Sequence, residues 1–259
     1  DTNLLKFQPP KCRSMRLGNG MDTGDSTYKL GGQPIVSTTT EKDIGVTIDS
    51  DLNFGTHITN QVNKANRIMG IIRRSYTHLD INNFRLLFKA LVRPHLEYAR
   101  AVWNPHLRYH IEEIENVQRR ATRQIPGLAN LSYSERLRRL NMPTLAFRRL
   151  RGDIIEAHKI LGGHYDHSVS GGLLTRSHVT HTRGHSSKLV RSETAHTNKR
   201  HHFFTQRIVS VWNALPESVV SAPTLHTFES RLDKHWTQHP LRWDHEASHE
   251  MRAAHRGTT

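Results

Sequence analysis

The fold of this chain is decided between residues 57 and 76, where the sequence reads HITNQVNKANRIMGIIRRSY. Apolar side chains recur there at intervals of three and four residues, which predicts one narrow buried stripe on an α-helix. The stripe consists of Ile58, Val62, Ala65, Met69, Ile72 and Tyr76. The opposite face carries Asn60, Asn63, Arg67 and Arg74. That polar face is suited to contacting the phosphates of a nucleic acid.

Further helices are expected downstream, at 81–103, about 108–125, 132–140, 143–161 and 223–236, and order should resume at 203–215. Asp80 is the expected N-cap of the second helix, and Pro94 should kink it. The third should turn Ile111, Ile114, Gln118, Ala121 and Ile125 inward. Ser132 and Glu135 have the spacing of a capping box. Turn signals around short extended runs predict hairpins in the first 50 residues.

The segment from 164 to 202 is rich in Ser, Thr, Gly, His and basic residues and has few large apolar side chains. Such a segment cannot offset the entropy cost of ordering, so a mobile linker is expected. The predicted fold is mainly α, a helical bundle preceded by a small β-hairpin region. Five segments are expected: 1–55 with hairpins, 56–161 helical, 162–202 a basic linker, 203–240 a C-terminal helical element, and 241–259 a disordered tail.

The charge of the chain indicates a polyanionic partner. Its 259 residues carry a formal net charge of +14, and its pI is about 10.4. Residues 56–161 hold 19 Lys and Arg against 8 Asp and Glu, so most of the excess lies in the helical region. Cys12 is the single cysteine, which excludes a disulfide framework and any multi-cysteine zinc module. With no long apolar run and no signal peptide, we expect an intracellular protein, nuclear or cytoplasmic and neither secreted nor in a membrane.

Seven short motifs give the sequence a recognisable order. They are EKDIGV (41–46), LVRPHLEY (91–98), AVWNP (101–105), ENVQRRAT (115–122), LNMPTL (140–145), RLRGD (149–153) and VWNALP (211–216). In this order and spacing they resemble the C-terminal region of the reverse transcriptases of non-LTR retrotransposons, the jockey-like and related LINE elements. The resemblance covers most of the chain.

The resemblance implies that 1–55 is the end of a polymerase palm and that 56–161 is a helical thumb. The hairpin at 41–48 resembles the primer grip, in which Lys42 would supply charge and Gly45 would let the backbone approach a sugar-phosphate. The alternative is a hairpin that merely joins palm to thumb. Lys11 resembles the palm lysine thought to protonate departing pyrophosphate, here as a vestige, and its alternative is an ordinary surface lysine.

The catalytic strand-turn-strand with paired aspartates, which would hold two Mg²⁺ ions in the parent polymerase, is absent from this sequence. The resemblance therefore implies a polymerase fragment that is inactive alone and has no cofactor of its own. Its implied partners are an RNA template with a DNA primer, or an RNA–DNA hybrid, and the missing N-terminal polymerase and endonuclease parts. The alternative is a non-enzymatic basic helical protein that binds RNA or DNA, or a non-functional genomic relic.

Arginines on two later helices complete the predicted nucleic-acid-binding set. They are Arg119, Arg120 and Arg123 on the third helix, and Arg148 and Arg149 on the fifth. Glu115 lies one turn before Arg119, so a simple surface ion pair is the alternative there. Any single pair would contribute under about 1 kcal/mol. Together, the arginines in a block of net charge +11 favour contact with a phosphate backbone.

A rival hypothesis comes from HEASH at 245–249, which matches the zinc-protease pattern formally. In that pattern two His on one helical face bind zinc, and His255 lies where a third ligand would fall. The pattern needs Gly where this chain has Arg252, and only four residues follow His255. With 20 His in the chain, a chance match is the better explanation, and no metal site is predicted.

Overall fold

The computed structural model describes residues 8–18, 28–76, 79–177, 184–191 and 198–247. The prediction of a mainly α-helical protein is confirmed, because 56% of these residues are helical and 8% are in strands. The chain divides into two compact units, 1–61 and 62–259. None of the helices in the described parts of the chain has the length and apolarity needed to cross a lipid bilayer.

The first unit is built from short strands. They are β1 (Arg13–Ser14), β2 (Lys29–Leu30), β3 (Gln33–Pro34), β4 (Val36–Ser37), β5 (Thr40–Asp43) and β6 (Val46–Asp49). β1 pairs with β4 in parallel, whereas β2–β3 and β5–β6 are antiparallel pairs. The β5–β6 turn is Ile44-Gly45, with φ of +41° and +81°. Both residues are left-handed, as in the tight two-residue turns that match the twist of a hairpin.

The long helix α1 (Gly55–Ser75) follows the hairpin. The predicted stripe from Ile58 to Ile72 is buried, with no member more than 5% exposed. Tyr76 follows the last residue of α1 and is 47% exposed, so its assignment to the stripe was wrong. Near the start of the helix, buried His57 accepts a hydrogen bond through Nδ1 from the backbone N–H of Thr47, at 3.2 Å. That bond joins α1 to β6 within the first unit.

The predicted helix at 81–103 is broken into four pieces. They are α2 (Ile81–Leu87), a π-helical turn (Phe88–Val92), α3 (Arg93–Glu97) and α4 (Arg100–Trp103). Asp80 caps α2 by accepting a bond from the Asn83 N–H at 2.8 Å, as predicted. Pro94 has no N–H and its ring crowds the preceding turn, which accounts for the widened helix before it. Ala99 is left-handed, with φ +51°, and separates α3 from α4.

Three helices form the middle of the second unit: α5 (Arg108–Arg123), α6 (Tyr133–Leu140) and α7 (Leu145–Leu161). The predicted inward residues of α5 and the following turn are all buried. The predicted capping box of α6 is present, formed reciprocally by Ser132 and Glu135. Thr144 caps α7 by accepting a bond from the Phe147 N–H at 3.0 Å, and Gly162 follows its last residue.

The C-terminal helices pack with α7 around a shared hydrophobic core. They are α8 (His167–Ser170), α9 (Asn198–His201), α10 (Phe204–Arg207), α11 (Val209–Asn213), α12 (Glu217–Val220) and α13 (Leu225–His235). Trp212 stacks on Phe228 at 6.0 Å, and Phe147 of α7 meets Trp236 edge-on at 5.9 Å. A buried ion pair between Arg207 and Asp153, at 2.8 Å, joins α10 to α7.

Two segments expected to be disordered contain ordered structure. Within the predicted linker, Leu189 is 3% exposed, and its backbone N–H and C=O both bond to the Asn213 side chain. Within the predicted tail, the C=O of Leu241 accepts a bond from the Thr144 hydroxyl at 2.5 Å. Both predictions were wrong at these positions. There the chain is held by a buried leucine side chain, Leu189 or Leu241, and by hydrogen bonds between a distant side chain and the backbone of that leucine. Residues 248–259 of the tail, with His249 and His255, lie outside the described residues.

Candidate nucleic-acid interface

The outer face of α1 carries the first group of predicted binding residues. Asn60, Asn63, Arg67 and Arg74 are all exposed, on the side of the helix opposite its buried stripe. The helix therefore separates an apolar face from a polar face of amides and guanidinium groups. Its last turn adds Arg73, which is also exposed. Cations in the last turn of a helix are also favoured by the helix dipole.

The second group lies on α5. Arg119, Arg120 and Arg123 line one cleft of about 280 Å³, together with Arg136 of α6 and the residues Leu131, Ser132 and Tyr133. We call this the arginine cleft. Arg120 donates to the side-chain oxygen of Asn66, on α1, at 3.2 Å. Within the second unit, the polar side of α1 is thus joined to the arginine cleft.

Arg136 is the buried member of the cleft, at 4% exposure. Its guanidinium donates to the Thr122 hydroxyl at 3.1 Å and to the carbonyls of Leu131 and Arg119 at 2.6 and 3.3 Å. All three acceptors are neutral. Burial and the neighbouring cation of Arg123 lower the pKa of Arg136. An arginine side chain nevertheless stays protonated in proteins, so a positive charge is held inside this part of the molecule.

Tyr133 lies between the arginines of the cleft. The guanidinium groups of Arg119 and Arg136 lie 5.3 and 5.5 Å from the centre of its ring, on the scale of cation–π contacts. Burial raises the pKa of the Tyr133 phenol well above its ordinary value, and the charge of Glu115 adds to that effect. The phenol therefore donates its proton in a hydrogen bond to Glu115 at 2.5 Å.

Glu115 does not pair with Arg119, so the alternative of a surface ion pair was wrong. Glu115 is completely buried, and its carboxylate accepts bonds from the backbone N–H groups of Leu145 and Ala146. Arg119 instead donates to Asn116 at 2.7 Å and approaches Glu112 at 3.4 Å. Glu115 is thus a structural carboxylate beneath the cleft.

The two predicted arginines of α7 do not join the cleft. Arg148 is bound by both carboxylate oxygens of Glu97, with the second bond at 2.8 Å. Arg149 is only 3% exposed and cannot present its side chain to a phosphate backbone. Successive residues of a helix point in directions about 100° apart, so the pair could not share one surface. These two positions are corrected from binding residues to structural ones.

A basic group that the sequence reasoning missed lies beside Glu97. Arg85, Lys89 and Arg93 follow one another at intervals of four residues, and that spacing was the available signal. Burial lowers the pKa of Lys89, and the charges of Arg85 and Arg93 add to the effect. Burial and the charge of Arg148 lower the pKa of Arg93 to about 10. The pKa of each group is lowered partly because these cations lie close enough to repel one another.

The predicted residues of the first unit are on exposed structure. Lys42 is exposed on β5, and Gly45 occupies the β5–β6 turn with φ +81°. Ile44, beside it, has a left-handed backbone, and its side chain is 81% exposed. Such a conformation is a true outlier for a β-branched residue. Lys11 is exposed in a short 3₁₀ turn, Pro9–Lys11.

His245 holds the C-terminal segment against α5. It is 4% exposed, and its Nε2 lies 2.7 Å from a carboxylate oxygen of Glu112. The same nitrogen lies 3.0 Å from Arg119. A nitrogen that donates to a carboxylate cannot also accept from a guanidinium, so we assign the shorter contact as the hydrogen bond.

Glu112, His245 and Glu246 place one ligand atom each within 4.8 Å of one another. The Arg119 guanidinium already lies at this cluster and disfavours a second cation. His245 also lies in a bend and not on a helix, so the zinc-protease hypothesis gains no support. A larger concavity of about 570 Å³ lies beside it, between Arg138 of α6 and the segment that contains Trp243.

Comparisons with known proteins give little further guidance. No protein-family model matches the sequence, and no solved structure matches it. An uncharacterized protein of Caenorhabditis elegans is 26% identical over 126 residues. That alignment covers 48% of this chain and 64% of the relative, so the chain spans just under two thirds of the relative's length. The name of this relative does not state an activity.

Proposed function

We propose that this chain is the C-terminal portion of a non-LTR retrotransposon reverse transcriptase and that its helical region holds template-primer nucleic acid. The observation that carries the proposal is the arginine cleft, which four arginine side chains line. Three of its arginines belong to the motifs that carry the resemblance or follow directly after them. In this proposal, residues 56–161 act as the thumb of the polymerase.

The mode of binding follows from the chemistry of the two surfaces. Arginine and asparagine side chains on α1 and α5 are donors that suit phosphate oxygens, which are the same at every base pair. Binding would therefore depend on the shape and charge of the backbone and not on base sequence. Release of counterions from the nucleic acid would supply much of the free energy of binding.

The first unit supplies a second role in the proposal. The β5–β6 hairpin would act as a primer grip, with Lys42 contributing charge and Gly45 a close backbone approach. Lys11 would be a remnant of the palm. The paired aspartates of the parent enzyme are absent from this sequence, so the chain would bind its substrate without extending a primer.

Two assays on the full chain test this function. In the first, mobility of a labelled RNA–DNA hybrid is measured with the wild-type chain and with Arg120→Gln/Arg123→Gln. We expect a shift with the wild type and a weaker one with the variant. In the second, primer extension on an RNA template with Mg²⁺ should match the no-protein control. Absence of hybrid binding at low salt, or extension by the purified chain, would contradict the proposal.

A further inference from the structure

We propose that the arginine cleft is a discrete binding site for one phosphate group. The proposal deepens the function proposed above, on which it rests for identifying the phosphate as part of a nucleic-acid strand. It goes further in assigning one defined position to one phosphate, where a basic surface alone would attract many phosphates diffusely.

The first argument is the charge of Arg136. Its guanidinium is buried and its three hydrogen-bond acceptors are neutral. No carboxylate pairs with it anywhere in the described ranges. A buried charge without a counter-ion is costly unless some other group compensates it. An anion in the cleft would supply that compensation.

The second argument is the charge of the other cleft arginines. Glu112, 3.4 Å from Arg119, is the one carboxylate that pairs with any of the four among the described residues. Among the described residues, the oxygens that Arg120 binds are neutral ones, on Asn116 and Asn66. Arg123 is exposed at the edge of the cleft. Four arginines against two nearby carboxylates, Glu112 at Arg119 and the buried Glu115 beneath Tyr133, leave a local excess of about two positive charges.

The third argument concerns size and geometry. At about 280 Å³ the cleft falls just below the 300–1,000 Å³ range of pockets that enclose whole small-molecule ligands. It therefore has room for a compact anion such as one phosphate group. Guanidinium groups present paired N–H donors that match two oxygens of one phosphate. Arginine side chains from both α5 and α6 would thus contact a small, multiply charged, oxygen-rich ligand in the cleft.

The test uses the full chain and inorganic phosphate as the probe. Thermal unfolding is followed with increasing phosphate at constant ionic strength, with chloride as the balancing anion. A ligand that binds only the folded state raises the unfolding temperature as its concentration rises. We expect this rise for the wild type. For Arg120→Gln/Arg123→Gln, the phosphate affinity should fall by about tenfold or more, the equivalent of losing one charge-assisted hydrogen bond.

The matched control is Arg139→Gln/Arg231→Gln, which removes two exposed arginines that lie neither in the cleft nor on the outer face of α1. It should respond to phosphate as the wild type does. An equal loss in both double variants, or no phosphate response in the wild type, would overturn the proposal. Circular dichroism of each variant without phosphate establishes that it is folded, and Arg123→Gln alone provides a milder variant with the same expected direction.

Hybrid binding by the same proteins separates this proposal from the proposed function. If the hybrid binds and phosphate neither binds nor competes with it, the cleft proposal fails and the function stands. If phosphate binds in the cleft and no nucleic acid binds, the phosphate site stands and the function fails. If phosphate displaces the hybrid from the wild type more readily than from the cleft variant, the phosphate belongs to the strand, as proposed.

Discussion

The carboxylate of Glu115, on α5, lies 3.0 Å from the backbone nitrogen of Leu145, the first residue of α7. It also accepts a bond from the Ala146 N–H at 3.2 Å and is completely buried. Negative charge at a helix N-terminus is stabilising, because the first N–H groups have no partner within the helix. One carboxylate therefore fixes where α7 begins relative to α5, directly beneath the arginine cleft.

Glu115→Gln should lower the free energy of unfolding by about 2–4 kcal/mol. The amide has no charge, and its NH₂ group would face backbone N–H groups that are themselves donors. Urea unfolding followed by circular dichroism measures this. Glu113→Gln is the matched control, since Glu113 is a partly exposed partner of His110 and its loss should cost under about 1 kcal/mol. Equal effects of the two substitutions would show that the buried carboxylate does not have this role.

Reversal of charge on the outer face of α1 should weaken nucleic-acid binding without unfolding the protein. Arg67→Glu/Arg74→Glu alters two exposed residues, each of which should change stability within about 0.5 kcal/mol. Hybrid affinity should fall alike for all base sequences. Met69→Asp, on the buried face of the same helix, should instead unfold the protein through an unpaired buried charge. A double reversal that melts the protein would contradict the assignment of the helix faces.

Stability should fall as the pH decreases below about 6.5. Burial lowers the pKa of His158, and the charge of His164 lowers it further. A hydrogen bond with the backbone of Ala222 raises the pKa but does not reverse the shift. Burial also lowers the pKa of His239, with a contribution from His235. The folded pKa values lie below the unfolded one, so the unfolded state binds more protons as the pH falls, and stability is lost through that window.

Urea unfolding between pH 8 and pH 5 checks this dependence. His158→Phe should make stability less dependent on pH, because it removes a titrating group. The phenyl ring can still stack on Phe228, as the imidazole does at 4.0 Å. His226→Gln, an exposed position, should leave the pH dependence as it is in the wild type. Stability that rises toward pH 5, or a slope unaltered by His158→Phe, would contradict the assignment.

The tip of the β5–β6 hairpin should be more stable with another residue. Ile44 is 81% exposed and left-handed, a conformation that Asn adopts more readily. Ile44→Asn should raise the free energy of unfolding of this hairpin by about 0.5–1 kcal/mol. Hybrid affinity should stay close to that of the wild type, because the proposed primer grip acts through Lys42 and the Gly45 backbone. No gain in stability in urea unfolding, or a large loss of hybrid affinity, would contradict these assignments.

Much of the helical framework could be predicted from local patterns. The apolar period of α1, the Asp80 cap and the capping box at Ser132 are properties of neighbouring residues, and all three are confirmed. The break in the helix before Trp103 was harder to predict from the sequence. Pro94 predicted a kink, but the left-handed Ala99 depends on packing, with the Trp103 ring N–H bonded to the Tyr98 carbonyl at 2.6 Å.

The candidate site was only partly predictable for the same reason. The arginines of α5 were found from their spacing, whereas Arg136 joins them through contacts between α5 and α6 that no local pattern encodes. Arg149 looked equivalent to them in sequence and is buried. The order at Leu189 likewise depends on Asn213, 24 positions along the chain. Hydropathy patterns do not report side-chain bonds over such separations.

The most direct test of nucleic-acid binding through these arginines is the affinity of the full chain for an RNA–DNA hybrid, measured by fluorescence anisotropy across a range of salt concentrations. The logarithm of the binding constant should fall linearly with the logarithm of salt concentration, with the same slope for hybrids of different sequence. Arg67→Glu/Arg74→Glu and Arg120→Gln/Arg123→Gln should each reduce that slope by roughly one per lost phosphate contact. No binding at low salt, or a slope that neither double variant changes, would contradict the account.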